Sequence, residues 1–272
     1  MPTLSPFATD VETRRERFHR DGWVVGPTVL DPATIAATNI AMDDVIAGRY
    51  ETGVEPVAVT WRPGDDPTKL CKIDQPHLSN RRLAAAIASP ALGRAVAALT
   101  GARFIQVWAV QLLHKPSGGS VASVGWHQDY QYWQTWWTPD SEVFTVWLAL
   151  SDVGLSSGPV CFVPGSQNWG FLNQGDFFGG TDLLKDGRIT LPPGAEWREE
   201  AATMPAGAFS IHHRLTFHGS YPNHSGANRR SLAIHMRTDN SEPARPARKD
   251  RGYEVYIDTL SDPAIAPVIY RE

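Results

Sequence analysis

An imidazole nitrogen and a carboxylate two residues apart are enough to begin a metal site, and Trp126-His127-Gln128-Asp129 supplies both. The spacing alone is a weak signal. With 9 histidines and 18 aspartates in 272 residues, chance provides about 0.6 His-x-Asp tripeptides (9 × 18/272). A second copy, His19-Arg20-Asp21, falls in a helical pattern, where side chains i and i+2 diverge. His127 and Asp129 fall where a strand is expected, and a strand turns i and i+2 to one side, so this pair can chelate one ion.

A metal needs a third ligand, and His218 is the best placed. It closes the strand-like run AFSIHHRLTFH and precedes Gly219-Ser220, small residues that let other groups approach. Two imidazoles and one carboxylate on one face of an ion leave three positions open, as in non-haem iron(II) oxygenases. The ligand set by itself leaves three alternatives standing: a zinc hydrolase, a metal-dependent lyase on a cupin-like barrel, and a binding protein without chemistry. Arg229 adds a constraint. It lies eleven residues beyond His218, across a turn of Tyr221-Pro222-Asn223-His224-Ser225-Gly226 that returns the chain as the next antiparallel strand. There it can meet a carboxylate with two parallel hydrogen bonds. Ser220 shares strand parity with His218 and can donate to the same carboxylate. A dicarboxylate held by the metal at one end and Arg229 at the other is what 2-oxoglutarate requires.

Three separated blocks, WHQDYQYW (126–133), VWLALSDVGLSSGPVCFVPGSQNWG (146–170) and HHRLTFHGSYPNHSGANRRSLAIH (212–235), resemble the phytanoyl-CoA dioxygenase family. The opening RFHRDGWVVGPTVLD (17–31) is similar to that family's start, so the resemblance runs from about residue 15 to 238. It implies a double-stranded β-helix that uses iron(II), 2-oxoglutarate as cosubstrate and O2. By that likeness His127, Asp129 and His218 are the iron ligands. Arg229 and Ser220 hold the far carboxylate, Trp147 lies beside the cosubstrate, and Gln111 and Lys72 are further contacts. The implied reaction is hydroxylation, or another oxidation, of an unactivated C–H bond in a small soluble metabolite, with release of succinate and CO2.

Other residues weigh less. His212, His213 and His224 read as hydrogen-bonded strand or turn residues; His235 shares parity with Arg229 and can face the pocket. Six aromatics between Trp126 and Trp137 are divided between core and site. Alternation puts Gln131 and Trp133 on the face of Asp129, which makes them, with His235, the expected substrate contacts.

The elements that must position these groups follow from periodicity and punctuation. Residues 10–48 read as helix, a short apolar strand at Trp23-Val24-Val25, and a second helix capped by Asp31-Pro32. Asn80 to Leu99 reads as helix broken at Ser89-Pro90. Short β-branched and aromatic runs then recur at 104–113, 142–150, 159–165, 209–218 and 231–236, bounded by turn formers. The expected fold is mainly β with N-terminal helices on a jelly-roll, cupin-like core, in one domain spanning 1–272. Its helical part covers about 10–100, its β core about 102–238, and a C-terminal extension 240–272. Residues 49–70 and 170–200 are long and aperiodic, and are expected to cover the site and to order when substrate binds.

Composition excludes several classes. The net charge of −4 offers no field for nucleic acid, and no evident basic cluster awaits the phosphates of an acyl-CoA. Cys71 and Cys161 are too few for a disulfide framework or a thiolate zinc cluster. No apolar run is expected to span a membrane and the first residues lack a signal-peptide core, so a cytoplasmic setting is the default expectation. Composition carries no information on oligomeric state.

Overall fold

The computed structural model describes residues 11–118, 122–179, 187 and 189–272, with helices first and antiparallel strands after. α1 (Val11–Asp21) leads into β1 (Trp23–Val25), and α2 (Pro32–Ile46) begins where Asp31 accepts a hydrogen bond from the Thr34 amide at 2.9 Å. Residues 49–70 hold one two-residue strand, β2 (Ala58–Val59), before β3 (Cys71–Asp74). α3 (Arg81–Ile87) and α4 (Pro90–Thr100) are separated at Ser89, and Gly101 at φ +76° closes the second. Taken together, Arg81–Thr100 is long and apolar enough to cross a membrane, against expectation. The break leaves two helices too short to do so, and Leu83, Ile87, Leu92, Val96 and Leu99 are buried in the core.

The strands β4 (Phe104–Lys115), β5 (Val124–His127), β6 (Val143–Ala149), β7 (Val160–Phe162), β8 (Glu200–Ala201), β9 (Phe209–His213), β10 (His218–Ser220), β11 (Arg229–Arg237) and β12 (Val268–Arg271) complete two sheets. The larger runs β1-β9-β6-β11-β4-β3-β2, with β12 also on β4; the smaller runs β5-β10-β7-β8. This is a jelly-roll-type arrangement of antiparallel sheets. Strand parity divides the larger sheet cleanly. Val146 and Leu148, with Leu232 and Ile234, join the helices in one core, while Trp147, Ala149 and Ala233 join Val160 and Phe162 of the smaller sheet in another. Both faces are therefore buried, which is why β6 reads as a nearly continuous apolar run rather than an alternating one.

Three local expectations need correction. The run 209–218 is two strands in different sheets, because the chain turns after His213, with the Thr216 amide donating to His213 O and Thr216 Oγ1 to Gly22 O. β5 ends at His127, and Asp129 is helical (φ −55°, ψ −37°) at the head of the short helix α5 (Tyr130–Trp133). Strand parity thus does not govern Asp129, Gln131 or Trp133. Residues 240–272 rejoin the β core: β12 pairs with β4, and Gln106 Nε2 donates to Leu260 O and Ala266 O at 2.7 and 2.9 Å. Their helix α6 (Arg251–Tyr256) buries Tyr253 in the apolar cluster that holds Trp108 and Trp133.

Candidate functional site

Register brings the first two imidazoles together. His127 at the end of β5 is the direct partner of His218 at the start of β10, and their ring centroids are 4.2 Å apart. The turn after His127 swings Asp129 back onto them, so that Asp129 Oδ1 lies 3.7 Å from His127 Nε2 and 3.6 Å from His218 Nε2. One ligand atom from each of the three residues falls within 4.8 Å of the others.

The surrounding hydrogen bonds set the state of each donor. His127 Nδ1 meets Gly125 O at 2.8 Å and His218 Nδ1 meets Thr216 O at 3.0 Å. A carbonyl only accepts, so both protons sit on Nδ1 and both Nε2 lone pairs face Asp129. Burial, then the neighbouring His127 and His212, holds the pKa of His218 well below the usual imidazole range, leaving it neutral. The Asp129 pKa is held well below the usual carboxylate range despite burial, and the donors that favour the ionised form are Thr145 Oγ1 and His212 Nε2. Asp129 Oδ2 is taken by Thr145 Oγ1 at 2.6 Å and by His212 Nε2 at 3.1 Å. Oδ1 is therefore the free ligand oxygen. Two neutral imidazole nitrogens and one carboxylate oxygen, each oriented by its other polar atom, fit a divalent transition metal with open positions.

Next to this triad lie two buried cations. Arg229 and Lys115 are cross-strand partners on β11 and β4, both at most 1% exposed. The Arg229 guanidinium sits 4.9 Å over the Trp147 ring and donates to Gly158 O, while its Nε has no partner. Lys115 Nζ donates to Ser220 Oγ and to Tyr221 O, both at 2.6 Å. Burial pushes the Arg229 pKa down to about 9, and burial followed by the Arg229 charge lowers that of Lys115. Buried charge of one sign with no carboxylate against it among the described residues is costly. An anionic ligand group relieves that cost.

The triad and Arg229 open on one cavity of about 240 Å³, whose walls include Ser220, Trp147, Gln111, Lys72, Trp133 and His235, while Lys115 stands behind Ser220. Lys72 Nζ is engaged by both carboxylate oxygens of Asp74, at 2.6 and 2.8 Å. Gln131 does not line the cavity, because the helical turn aims its amide at Gly175 O, 3.1 Å away. The same turn brings Tyr132 to the wall, and Trp136 and Tyr256 line it too. None of residues 49–70 lines the cavity. Of 170–200, Phe177 and Phe178 do, while 180–186 and 188 lie outside the described residues.

Sequence reasoning missed His212, Thr145, Lys115, Tyr132, Trp136 and Tyr256. Lys115 had a usable signal, a lysine closing an apolar strand. His212 is hydrogen-bonded as expected, yet its partner is Asp129. His213 accepts from the Leu215 amide and His224 is exposed, as ordinary turn residues.

The comparisons with known proteins agree with this geometry. A Stutzerimonas stutzeri protein described as a probable alpha-ketoglutarate-dependent hypophosphite dioxygenase is 26% identical over 172 residues, 63% of this chain. The chain spans 58% of that relative's length. Among solved structures, the epimerase SnoN in complex with Fe3+, alpha ketoglutarate and nogalamycin RO matches with a TM-score of 0.65 at 20% identity, over 88% of this chain and 87% of that one. The non-heme alpha ketoglutarate dependent carbocyclase SnoK matches at 0.64 and 19% identity, over 90% and 91%. These likenesses show the fold. The profile described as Phytanoyl-CoA dioxygenase (PhyH) matches residues 18–231, and the chain belongs to that family.

Proposed function

We propose that this protein is an iron(II)- and 2-oxoglutarate-dependent oxygenase that oxidises a C–H bond of a small molecule. One observation carries the reading: a ligand-ready triad and the buried Arg229, which no carboxylate neutralises among the described residues, share one cavity. His127 Nε2, His218 Nε2 and Asp129 Oδ1 would hold the iron. Bound iron would supply the redox chemistry, coupling O2 to the decarboxylation of 2-oxoglutarate, with succinate and CO2 as products, and to substrate oxidation.

The chain's own groups do the rest. Arg229 receives the far carboxylate with paired N–H donors. Lys115 occupies the acceptor side of Ser220 Oγ, which turns the hydroxyl proton outward as a further donor to that carboxylate. Trp147 stacks on the guanidinium and keeps its plane fixed. Gln111 lines the same cavity and offers a further contact to the cosubstrate, whereas Lys72, which also lines it, has its Nζ held by Asp74. Thr145 and His212 hold Asp129 on one oxygen, and the aromatic walls exclude water from the reacting centre.

The test is 2-oxoglutarate consumption with added iron(II) in air, following succinate. Succinate in step with 2-oxoglutarate loss, abolished by Asp129→Ala, is the expected result. Metal binding with no use of 2-oxoglutarate would point to a lyase or hydrolase, and binding of neither to a module without chemistry.

A further inference from the structure

We infer, resting on the oxygenase reading, that the substrate is an uncharged ring compound bearing a hydroxyl or carbonyl group. The wall beyond the metal is aromatic and rigidly built. Trp108 stands edge-on to Trp133 and Trp136, at 86° and 81° with centroids 5.0 and 6.1 Å apart, and Tyr256 lies 5.1 Å from Trp136. A bulge in the β4–β11 pairing builds this corner: His235 pairs with Ala109 and Met236 with Val107, so Trp108 is the extra residue. It joins Ala109 on the cavity side while Val107 and Val110 pack toward the helices. Re-aiming one side chain is what a bulge does. Trp136 is fixed from behind, where its Nε1 donates to Asp250 at 3.2 Å and its ring lies on Gly252, whose missing Cβ would stand 2.2 Å from the indole. The wall is therefore a preformed aromatic corner for a ring.

The charges decide between ring compounds. Outside the metal and cosubstrate ends, the charged residues that line the cavity among the described residues are Lys72 and Asp74, and they neutralise each other. An ionic substrate would lose its hydration there without a free counter-charge. Aromatic walls also suit quaternary ammonium ions, but the carboxylate that would strengthen such a cage is already paired. The same lack of a free cation disfavours phosphorus oxyanions and acyl-CoA at this end.

Two neutral polar groups remain for orientation. Trp108 Nε1 is a buried donor without a partner, on a ring that lines the cavity, and a substrate oxygen would satisfy it. Thr145 spends its proton on Asp129, which accepts only, so His235 Nδ1 donates to Thr145 Oγ1 at 2.9 Å. That tautomer leaves His235 Nε2 as an acceptor for a hydroxyl, on a ring flanked by Trp108 and Trp133.

The test uses one ring with three charges. Protein loaded with Mn(II) and 2-oxoglutarate is titrated calorimetrically with 2-naphthol, 2-naphthoate and 2-naphthylmethylammonium, and with hypophosphite. Naphthol should bind at least about tenfold more tightly than either ion, and Trp136→Ala should weaken it by about tenfold through loss of one wall. Equal or tighter binding of an ion, or of hypophosphite, overturns the inference. No naphthol binding to protein that does bind 2-oxoglutarate overturns it while leaving the oxygenase reading intact. Failure of 2-oxoglutarate itself to bind overturns both.

Discussion

Arg229 and Lys115 are where single residues have the largest leverage. Removing a charge-assisted pair of hydrogen bonds to a carboxylate costs about 2–4 kcal/mol, so Arg229→Ala should weaken 2-oxoglutarate binding roughly 30- to 1000-fold. Arg229→Lys keeps the charge without the fork and should fall between. Arg230→Ala is the control, since that guanidinium points to the opposite face and bonds Asp43 and Asn39 O on α2. Lys115→Met should cost roughly tenfold, because Ser220 then loses the donor that orients its hydroxyl. Calorimetric titration of 2-oxoglutarate into Mn(II)-loaded protein ranks all four, and an unchanged affinity in Arg229→Ala would remove the anchor assignment. For the metal, His127→Ala and His218→Ala should each abolish Mn(II) binding while thermal unfolding stays cooperative; wild-type affinity in both would mean other ligands. Residue type and order sufficed to single out His127, Asp129, His218, Ser220 and Arg229, which the structure gathers around one cavity. Asp129 reaches the two imidazoles through a turn, not through the strand parity that the spacing suggested. Thr145 and His212 were not legible, because each acts across strands whose register no short motif encodes.

Among the elements, the segment after residue 170 is the part of the molecule most directly laid over a candidate ligand. The Phe177 ring lies 5.4 Å from that of His127, and the segment is tied to β5 by Asp176 N to Trp126 O and Gly125 N to Phe177 O. Tyr132 clasps it, accepting from the Phe177 amide at 2.7 Å and donating to Asp176 Oδ1 at 3.2 Å. Tyr132→Phe keeps the ring and removes both bonds, so exchange of the Phe177 amide should speed up by roughly tenfold while amides in β6 and β11 are unaffected. Protection equal to wild type would show that the clasp does not restrain the segment. In the wild-type protein, ligand-induced slowing of exchange should appear at 171–179 and not at 49–70, which contributes nothing to the cavity wall. The helices, their caps and most strand runs were legible because Asp31-Pro32, Ser89-Pro90 and the β-branched runs act locally. The turn splitting 209–218, the bulge at Trp108 and the return of 240–272 to the sheet were not, since each is decided by a distant partner: Gly22, β11 and β4 respectively.

At the scale of the whole molecule, acid is the condition to which this fold should respond most sharply. Three imidazoles in separate places, His77, His213 and His235, are pushed by burial down to a pKa of about 4. His77 Nε2 reaches Ile265 O at 2.9 Å, tying the chain before α3 to the C-terminal segment; His213 closes β9; His235 lies inside the cavity. In the unfolded chain each returns to about 6.5. The folded values lie below the unfolded ones, and for a base this means the unfolded state binds more protons between the two. These groups therefore cost nothing above pH 6.5, and stability falls as pH drops from about 6.5 toward 4. Each contributes up to about 1.4 kcal/mol per pH unit within that window, so the three together give a slope of about 4 kcal/mol per unit near pH 5. Unfolding at pH 5 should accordingly take up roughly two to three protons, and at pH 7.5 nearly none from these groups. Calorimetry in buffers of different ionisation enthalpy reads that number directly, and urea midpoints from pH 7.5 to 4.5 read the slope. His213→Asn should reduce the uptake at pH 5 by close to one proton, which separates buried imidazoles from a general acid effect of carboxylates. A flat stability profile between pH 6.5 and 5, with no proton uptake, would mean that these imidazoles are solvated or charged in the folded protein.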